Sequence, residues 1–442
     1  MQDEHPKQDK AAPAPIRSIL AAVIGNALEW YDFLVFAFMT PIIARLFFPS
    51  NPSDPNDGLN QILLTTAVFG VGFFMRPVGG IVMGIFGDRR GRKAAMVTVT
   101  GLMAVAITLI TLAPTYEAVG VLAPLIIVLA RLLQGFAAGG EFGTSTALLI
   151  ELAPPGRRGF YGSWQMAGQM LALLLGALAG TFITEIFSQE ALEGWAWRLP
   201  FAFGLLIVPV AIYIRRHVEE PETFRRLAAA RAAGTVHQVG LLEMLRTHGR
   251  ETLTGMGLIV AGTVAVYISF TYLVTFSTVT LPLRETFMVQ LASAFLMLVL
   301  MPFVGAASDR IGRRPILIGS LLGYLVVIHP LYSWLVSDPG IDRLLTVQLV
   351  ISVFVAAFFG VVSTVMAELF PANVRSLGMS MAYNLAVMIF GGFAQFIVTW
   401  LIRATGSPMS AAYYVMFGVA LGAIASFMVR ERAHDPHIDH HD

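Results

Sequence analysis

The 442-residue sequence contains no cysteine and little charge. The missing cysteine excludes disulfides and thiolate metal sites. Only 13% of residues are charged and 56% are hydrophobic, against about 25% charged in a soluble domain. A water-soluble fold of this composition would expose too much apolar surface, so lipid is the expected solvent. The phosphate-cradling pattern G-x-x-x-x-G-K-[ST] is absent, so nothing supports a nucleotide-driven machine. There is no zinc spacing and no arguable nucleophile–base pair, so neither an enzyme nor a resident cofactor is expected. The net charge of +1 gives no reason to expect nucleic acid. Residues 1–17 lack the short apolar core and small-residue cleavage site of a signal peptide, so the first apolar segment is expected to remain as a span.

What is present is a duplicated charged turn. Gly84-Ile-Phe-Gly-Asp88-Arg89-Arg-Gly91-Arg92-Lys93 sits between two long apolar runs. It returns half a chain later as Gly305-Ala-Ala-Ser-Asp309-Arg310-Ile-Gly312-Arg313-Arg314, under the shared pattern G-x3-D-R-x-G-R-[KR]. A second pair repeats in the same order: Glu151-Leu-Ala-Pro154 with Arg158, and Glu368-Leu-Phe-Pro371 with Arg375. Two repeats in the same order at about the same offset describe two similar halves, with a binding site between them near the membrane midplane.

A helix needs about 20 apolar residues to cross a bilayer. Twelve segments qualify: 18–47, 61–86, 94–113, 121–152, 159–187 and 198–214, then 253–281, 287–307, 315–336, 344–370, 377–402 and 411–429. The expected organisation is a tail over 1–17, a six-helix half over 18–214, a polar linker over 215–252, a second half over 253–430, and a tail over 431–442. Of the Lys and Arg residues, Arg45, Arg198, Arg284, Arg343 and Arg403 fall near one side, Arg76 and Arg131 fall inside spans, and the rest collect on the side of the charged turns. That bias places both turns and both termini in the cytoplasm. The final His434-Asp-Pro-His437-Ile-Asp-His440-His441-Asp442 reads as a solvated tail, because nothing preorganises it for a metal.

These turns resemble the inner loops of the major facilitator superfamily, and Arg131-Leu-Leu-Gln134-Gly135 matches its R-x-x-Q-G pattern in the fourth span. A narrower resemblance is to the metabolite:proton symporters. It is carried by Gly25-Asn26-Ala-Leu-Glu29-Trp-Tyr-Asp32-Phe33, Met75-Arg76-Pro77-Val-Gly79-Gly80, Gly139-Gly140-Glu141-Phe-Gly143, Trp197-Arg198-Leu-Pro200-Phe201 and Phe390-Gly391-Gly392-Phe393. The resemblance implies an all-α inner-membrane carrier with protons as coupling ion. It also implies alternating access and a small metabolite such as citrate, α-ketoglutarate, shikimate, proline or betaine. The long coiled-coil tail of the proline/betaine members is missing, and the spacing looks most similar to citrate and dicarboxylate carriers. No obligate protein partner is expected beyond the bilayer.

Ionisable residues inside spans are costly and usually face a partner or a watery cavity. Glu29 and Asp32, three apart, share one face of the first span with Asn26 at its edge. Two close carboxylates in low dielectric resist being ionised together, which suits proton uptake. The alternative is ion pairing with Arg76 or Arg131. Arg76, before Pro77, is suited to bidentate carboxylate recognition or to a fixed structural pairing. Arg131, Gln134, Ala138 and Glu141 fall on one stripe within about 80°. Gln165, Gln169, Tyr267, Tyr272, Tyr383, Asn384 and Gln395 can hydrogen-bond a substrate or join helices. His329 reads as structural.

At the turns, the resemblance has Asp88 meeting the positive end of the eleventh span, Arg92 reaching Glu151, and Arg313 reaching Glu368. Gly84, Arg89, Gly91, Arg310 and Arg375 complete this gate. Two cavity arginines favour an anion; a zwitterion would require one of them to be neutralised by carboxylates. A proton-antiporting exporter remains open, while a receptor or channel is disfavoured by short loops and paired inner gates.

Overall fold

In a computed structural model, described over residues 16–49, 53–54, 56–90, 92–209, 241–273, 281–371 and 374–433, all regular structure is helical. Among the described residues, eight helices are singly long and apolar enough to cross a membrane, and two bent pairs raise this to ten. The shorter apolar helices Thr98–Leu112 and Leu122–Ala137 complete twelve spans.

The first span runs as Ile16–Phe38 and Thr40–Phe47, bent by 61°. Pro41 opens the second piece, where a missing N–H leaves no intrahelical bond broken. The second span, Asp57–Phe74 and Arg76–Arg90, breaks at Met75, two residues before Pro77. The third is Arg92–Leu112. The fourth combines Leu122–Ala137, a tight turn Ala138–Gly140 and Glu141–Glu151. The fifth, Arg158–Ile186, is unbroken. The sixth begins earlier than expected, at Gln189, and reaches Arg198–Gly204 through a π turn at Leu192–Ala196.

In the second half the spans are Gly249–Val266 with a π turn Tyr267–Tyr272, Leu283–Ile311, Arg313–Ser337 and Ile341–Leu369. The eleventh runs Arg375–Ala386, a π turn Val387–Gly392 and Ala394–Thr405, and the twelfth is Ser410–Met428. Within the linker, Leu241–Thr247 is helical; the remainder from 210 to 240 lies outside the described residues, as does the His-rich tail.

Leu112, Val121, Phe303, Val326 and Ile424 are exposed, as lipid-facing positions should be. With lipid outside, apolar burial does little to join the helices, and close packing takes over. Glycines make that packing possible between the second and fourth spans. A Cβ on Gly135 would strike the Gly72 carbonyl, one on Gly79 the Phe136 carbonyl, and one on Gly139 the Arg76 carbonyl. The halves meet in the same way: Gly159 against Gly305, Gly143 against Ser376 and Ser380, and Gly70 against Gly392.

Gly79→Ala and Gly135→Ala should each cost about 1–3 kcal/mol or more by overpacking against backbone. A lowered thermal unfolding midpoint in detergent would show it. Gly101→Ala, where nothing lies within 4 Å of the added carbon, should leave the midpoint unchanged.

Candidate functional site

The first span carries Trp30, Tyr31, Asp32 and Phe33 in succession, all buried. Asp32 points at the fourth span, where Gln134 Nε2 donates to its Oδ2. Arg131 Nη1 donates to the other end of the same amide, Gln134 Oε1, at 2.6 Å. The carboxylate and the guanidinium are therefore joined through an amide, and no direct Asp32–Arg131 ion pair forms among the described contacts. Asp32 Oδ1 and Arg131 Nε and Nη2 have no partner.

Aromatic faces surround the positive charges. The Arg131 guanidinium lies over Phe33, Phe36 and Phe69 at 4.7, 4.6 and 5.1 Å. Arg76 lies over Trp30, Phe33 and Phe73 at 4.6, 4.4 and 4.5 Å. Phe33 is shared by both. Ring quadrupoles attract cations by about 0.5–2 kcal/mol each, which offsets part of the cost of removing an arginine from water. Gly72 lets the second span pass close to the Arg131 backbone and guanidinium.

Glu29 is buried and its Oε2 has no partner. It forms no ion pair with Arg76 or Arg131 among the described residues. Gln165 spends its backbone carbonyl on Asn26 Nδ2 at 2.7 Å, and its own Nε2 is unpartnered. Asn384 Nδ2 donates to the Gly139 carbonyl at 2.6 Å, fastening the eleventh span to the fourth. Tyr272 accepts from Thr399 at 3.0 Å, between the seventh and eleventh spans. His329 is exposed on the lipid side beside Tyr413.

Between the halves lies a narrow cavity. Its polar lining is Trp30, Gln169, Thr263, Tyr267 and Tyr383. Of the site residues expected from sequence, Gln169, Tyr267 and Tyr383 reach this surface; Asp32, Arg76 and Arg131 do not line it. Trp30 and Phe33 had no assigned role, although both fall in the first-span stretch that carried the resemblance. Tyr383 stacks on Phe142 at 3.9 Å.

A second polar cluster lies at the face that bears the charged turns. Asp309 accepts the backbone N–H groups of Gly159 at 2.7 Å and Phe160 at 3.0 Å, the first turn of the fifth span in the other half. A carboxylate there is favoured by the partial positive charge of a helix start. Arg313 pairs with Asp309 at 3.0 Å and with Glu368 at 3.4 Å, all three nearly buried. Arg375 Nε donates to the Ala367 carbonyl, Arg310 is exposed, and Glu151 is exposed at the end of the fourth span. Gly84, Asp88, Arg89 and Arg92 lie on described helices, but their side chains, that of Glu141, and Gly91 entirely fall outside the described set. Sequence reasoning missed Glu431, which accepts from the Arg313 and Arg314 N–H groups at 3.1 and 2.8 Å and caps the ninth span. No motif marks it.

On the opposite face Arg284 pairs with Glu185 across the halves, and Arg45 with Glu193 at 3.2 Å. Both pairs are exposed, so each is worth at most about 1 kcal/mol.

Two six-helix halves with a shared charged-turn motif and a cavity between them have a counterpart among known proteins. The family model described as sugar (and other) transporter matches residues 18–225 and 217–441, almost the whole chain. The chain belongs to this family of the major facilitator superfamily. It is a multi-pass membrane transporter and not an enzyme. It is 36% identical over 425 residues to a citrate-proton symporter of Klebsiella pneumoniae, covering 96% of this chain and 94% of that protein. It is 33% identical to the alpha-ketoglutarate permease of Escherichia coli strain K12, covering 94% of each. It is 31% identical to a glycine betaine/proline/ectoine/pipecolic acid transporter of Dickeya dadantii strain 3937, covering 95% and 84%. A crystal structure of a D-xylose-proton symporter aligns with TM-score 0.74 at 17% identity, covering 95% and 98%, which shows the shared fold.

The transporter's charged-face cluster makes two checkable statements. Asp309→Asn removes the charge at the fifth-span start, worth about 0.3–2 kcal/mol. In this naturally cysteine-free chain, a cysteine placed in the cavity should then react several-fold faster from the charged face. Glu431 is the second case. Partial burial opposes its ionisation, but the Arg314, Arg313 and Ala433 N–H groups and the Arg313 charge prevail and hold its carboxyl below its usual range. A depressed value means the cap is present above the ordinary glutamate pKa of about 4.3 and is lost as pH falls through the lowered one. At neutral pH, Glu431→Gln should therefore speed amide exchange at Arg313 and Arg314. In strong acid the two proteins should exchange alike.

Proposed function

We propose that this transporter imports a small organic anion together with protons, with citrate or a related di- or tricarboxylate first among candidates. The observation that carries the reading is the buried chain Asp32–Gln134–Arg131. While Asp32 is ionised, its charge offsets that of Arg131 through the amide. A proton on Asp32 removes that offset and leaves a buried cation uncompensated, which is costly in low dielectric. A substrate anion restores the balance, so proton and anion are favoured together. Arg131 Nε and Nη2, free of partners, are the donors a carboxylate would engage. Arg76 supplies the second positive charge, and Gln165 and Gln169 have unpartnered amide donors. Glu29, with an unpartnered oxygen, is the second proton carrier, and Glu141 the third. The citrate-proton symporters and the alpha-ketoglutarate permease among the relatives support this substrate class.

The same reading puts the charged face in the cytoplasm of a bacterial inner membrane, with both termini there. The Asp309–Arg313–Glu368 cluster then holds the inner gate shut, and Asp88, Arg92 and Glu151 form its counterpart in the first half. The halves divide at the linker over 215–252. A second reading, a zwitterion such as proline or betaine, is favoured by the aromatic wall of Trp30, Tyr267, Phe359 and Tyr383, which suits a quaternary ammonium. The proline/betaine relatives support it.

A substrate panel in proteoliposomes with an imposed pH gradient separates these readings. Gradient-driven citrate uptake is expected. Uptake of betaine alone would favour the zwitterion, and uptake indifferent to the gradient would remove proton coupling. Asp32→Asn should abolish gradient-driven accumulation while keeping exchange of internal for external substrate. Loss of both together would assign Asp32 to binding instead.

A further inference from the structure

The seventh span changes winding at Tyr267–Tyr272. Leu273 N–H reaches back to the Ile268 carbonyl, one residue beyond its α-helical partner Ser269. The Ser269 carbonyl thereby loses its α-helical donor, and an unpaired carbonyl away from water is costly. Gln348, on the tenth span, supplies one: its Nε2 lies 2.7 Å from that carbonyl. The Ser269 hydroxyl is held as well, 2.8 Å from the Tyr324 hydroxyl and 3.4 Å from that of Tyr332, both on the ninth span. The eleventh span grips the far side of the turn. Gln395 Nε2 donates to Thr271 Oγ1 at 2.8 Å, and Thr399 to Tyr272 at 3.0 Å.

All these anchors are buried. π turns are rare and concentrate at functional sites. What this one presents to the first half is Tyr267. Its ring meets Phe69 and Phe73 edge-on at 5.6 and 5.7 Å, and it lines the central cavity. Its hydroxyl is buried without a hydrogen-bond partner. An unsatisfied buried donor costs about 1–3 kcal/mol, a cost that a ligand oxygen would remove. Gln169 Nε2 lines the same cavity from the first half, also unpartnered. Without the π insertion, residues on its two sides would rotate relative to one another by about 100°. Tyr267 and the Thr271–Tyr272 anchors could not then keep their places together.

We infer that Tyr267 is a specificity-determining substrate contact that donates its hydroxyl to an oxygen of the bound molecule. Gln348 is its positioning residue, acting through the Ser269 carbonyl to hold the turn that aims Tyr267. The substrate class rests on the anion reading above; the geometry does not.

The test is a double-mutant cycle on gradient-driven uptake of radiolabelled citrate. Tyr267→Phe and Gln348→Leu should each raise KM about tenfold, equivalent to about 1.4 kcal/mol, with maximal rate nearly unchanged. The double variant should match either single one, because Gln348 acts through Tyr267. Multiplied effects, or an unchanged KM for Tyr267→Phe, overturn the inference. If the unaltered protein takes up no citrate, the anion reading fails by itself, and a substrate-free measurement decides the inference. Tyr267→Cys should react with a hydrophilic thiol reagent. Adding Gln348→Leu should change that rate by about fivefold or more, whereas adding Ser320→Ala should not. Equal rates with and without Gln348→Leu overturn the positioning role.

Discussion

Two guanidiniums buried within the membrane-spanning helices set the terms for this protein. Arg76 and Arg131 are buried, and lipid outside the helices offers neither charge any hydration. The chain answers with rings and one amide. Phe33 lies between both cations, Trp30 and Phe73 complete the box around Arg76, and Phe36 and Phe69 that around Arg131. Gln134 connects Arg131 to Asp32 without letting the two charges touch. The glycines Gly72, Gly79, Gly135 and Gly139 follow from the same need, because they bring the second and fourth spans close enough to enclose these groups.

The two halves carry different side chains on related architecture. The first holds the charges within the membrane. The second meets the cavity with neutral groups on two π turns, at Tyr267–Tyr272 and Val387–Gly392. Neutral hydrogen-bonding groups cost far less than charges to bury, so they can be exposed to a cavity in one conformation and sealed in another. At the charged face Asp309 crosses between halves to a helix start, and Arg313 ties it to Glu368. Glu431 and Arg432 extend this cluster beyond the twelfth span, since Arg432 donates to the Glu368 carbonyl at 2.9 Å.

Much of the fold was legible in the residues. Long apolar runs separated by Asp, Arg and Gly at repeated offsets define twelve spans and two halves, because a bilayer permits few other arrangements of such runs. Span ends shifted where polar residues extended a helix beyond its apolar part, as at Leu283–Ile311. The π turns were not legible: a one-residue insertion leaves no mark in hydropathy.

The candidate site divides along the same line. Which residues carry charge inside the membrane was readable from Glu29, Asp32, Arg76 and Arg131 alone, since their cost in lipid makes them conspicuous. How they are arranged was not. Helical spacing put Arg131, Gln134 and Glu141 on one stripe, but only packing decided that Gln134 stands between Arg131 and Asp32 and that Trp30 walls Arg76 from the cavity. The sequence by itself determined the solvent, the number of spans, the repeat and the presence of buried charge, because each follows from composition and period. Tertiary structure alone decided which donors were left without partners. Whether a buried group is satisfied depends on atoms from distant spans, and no local pattern encodes that.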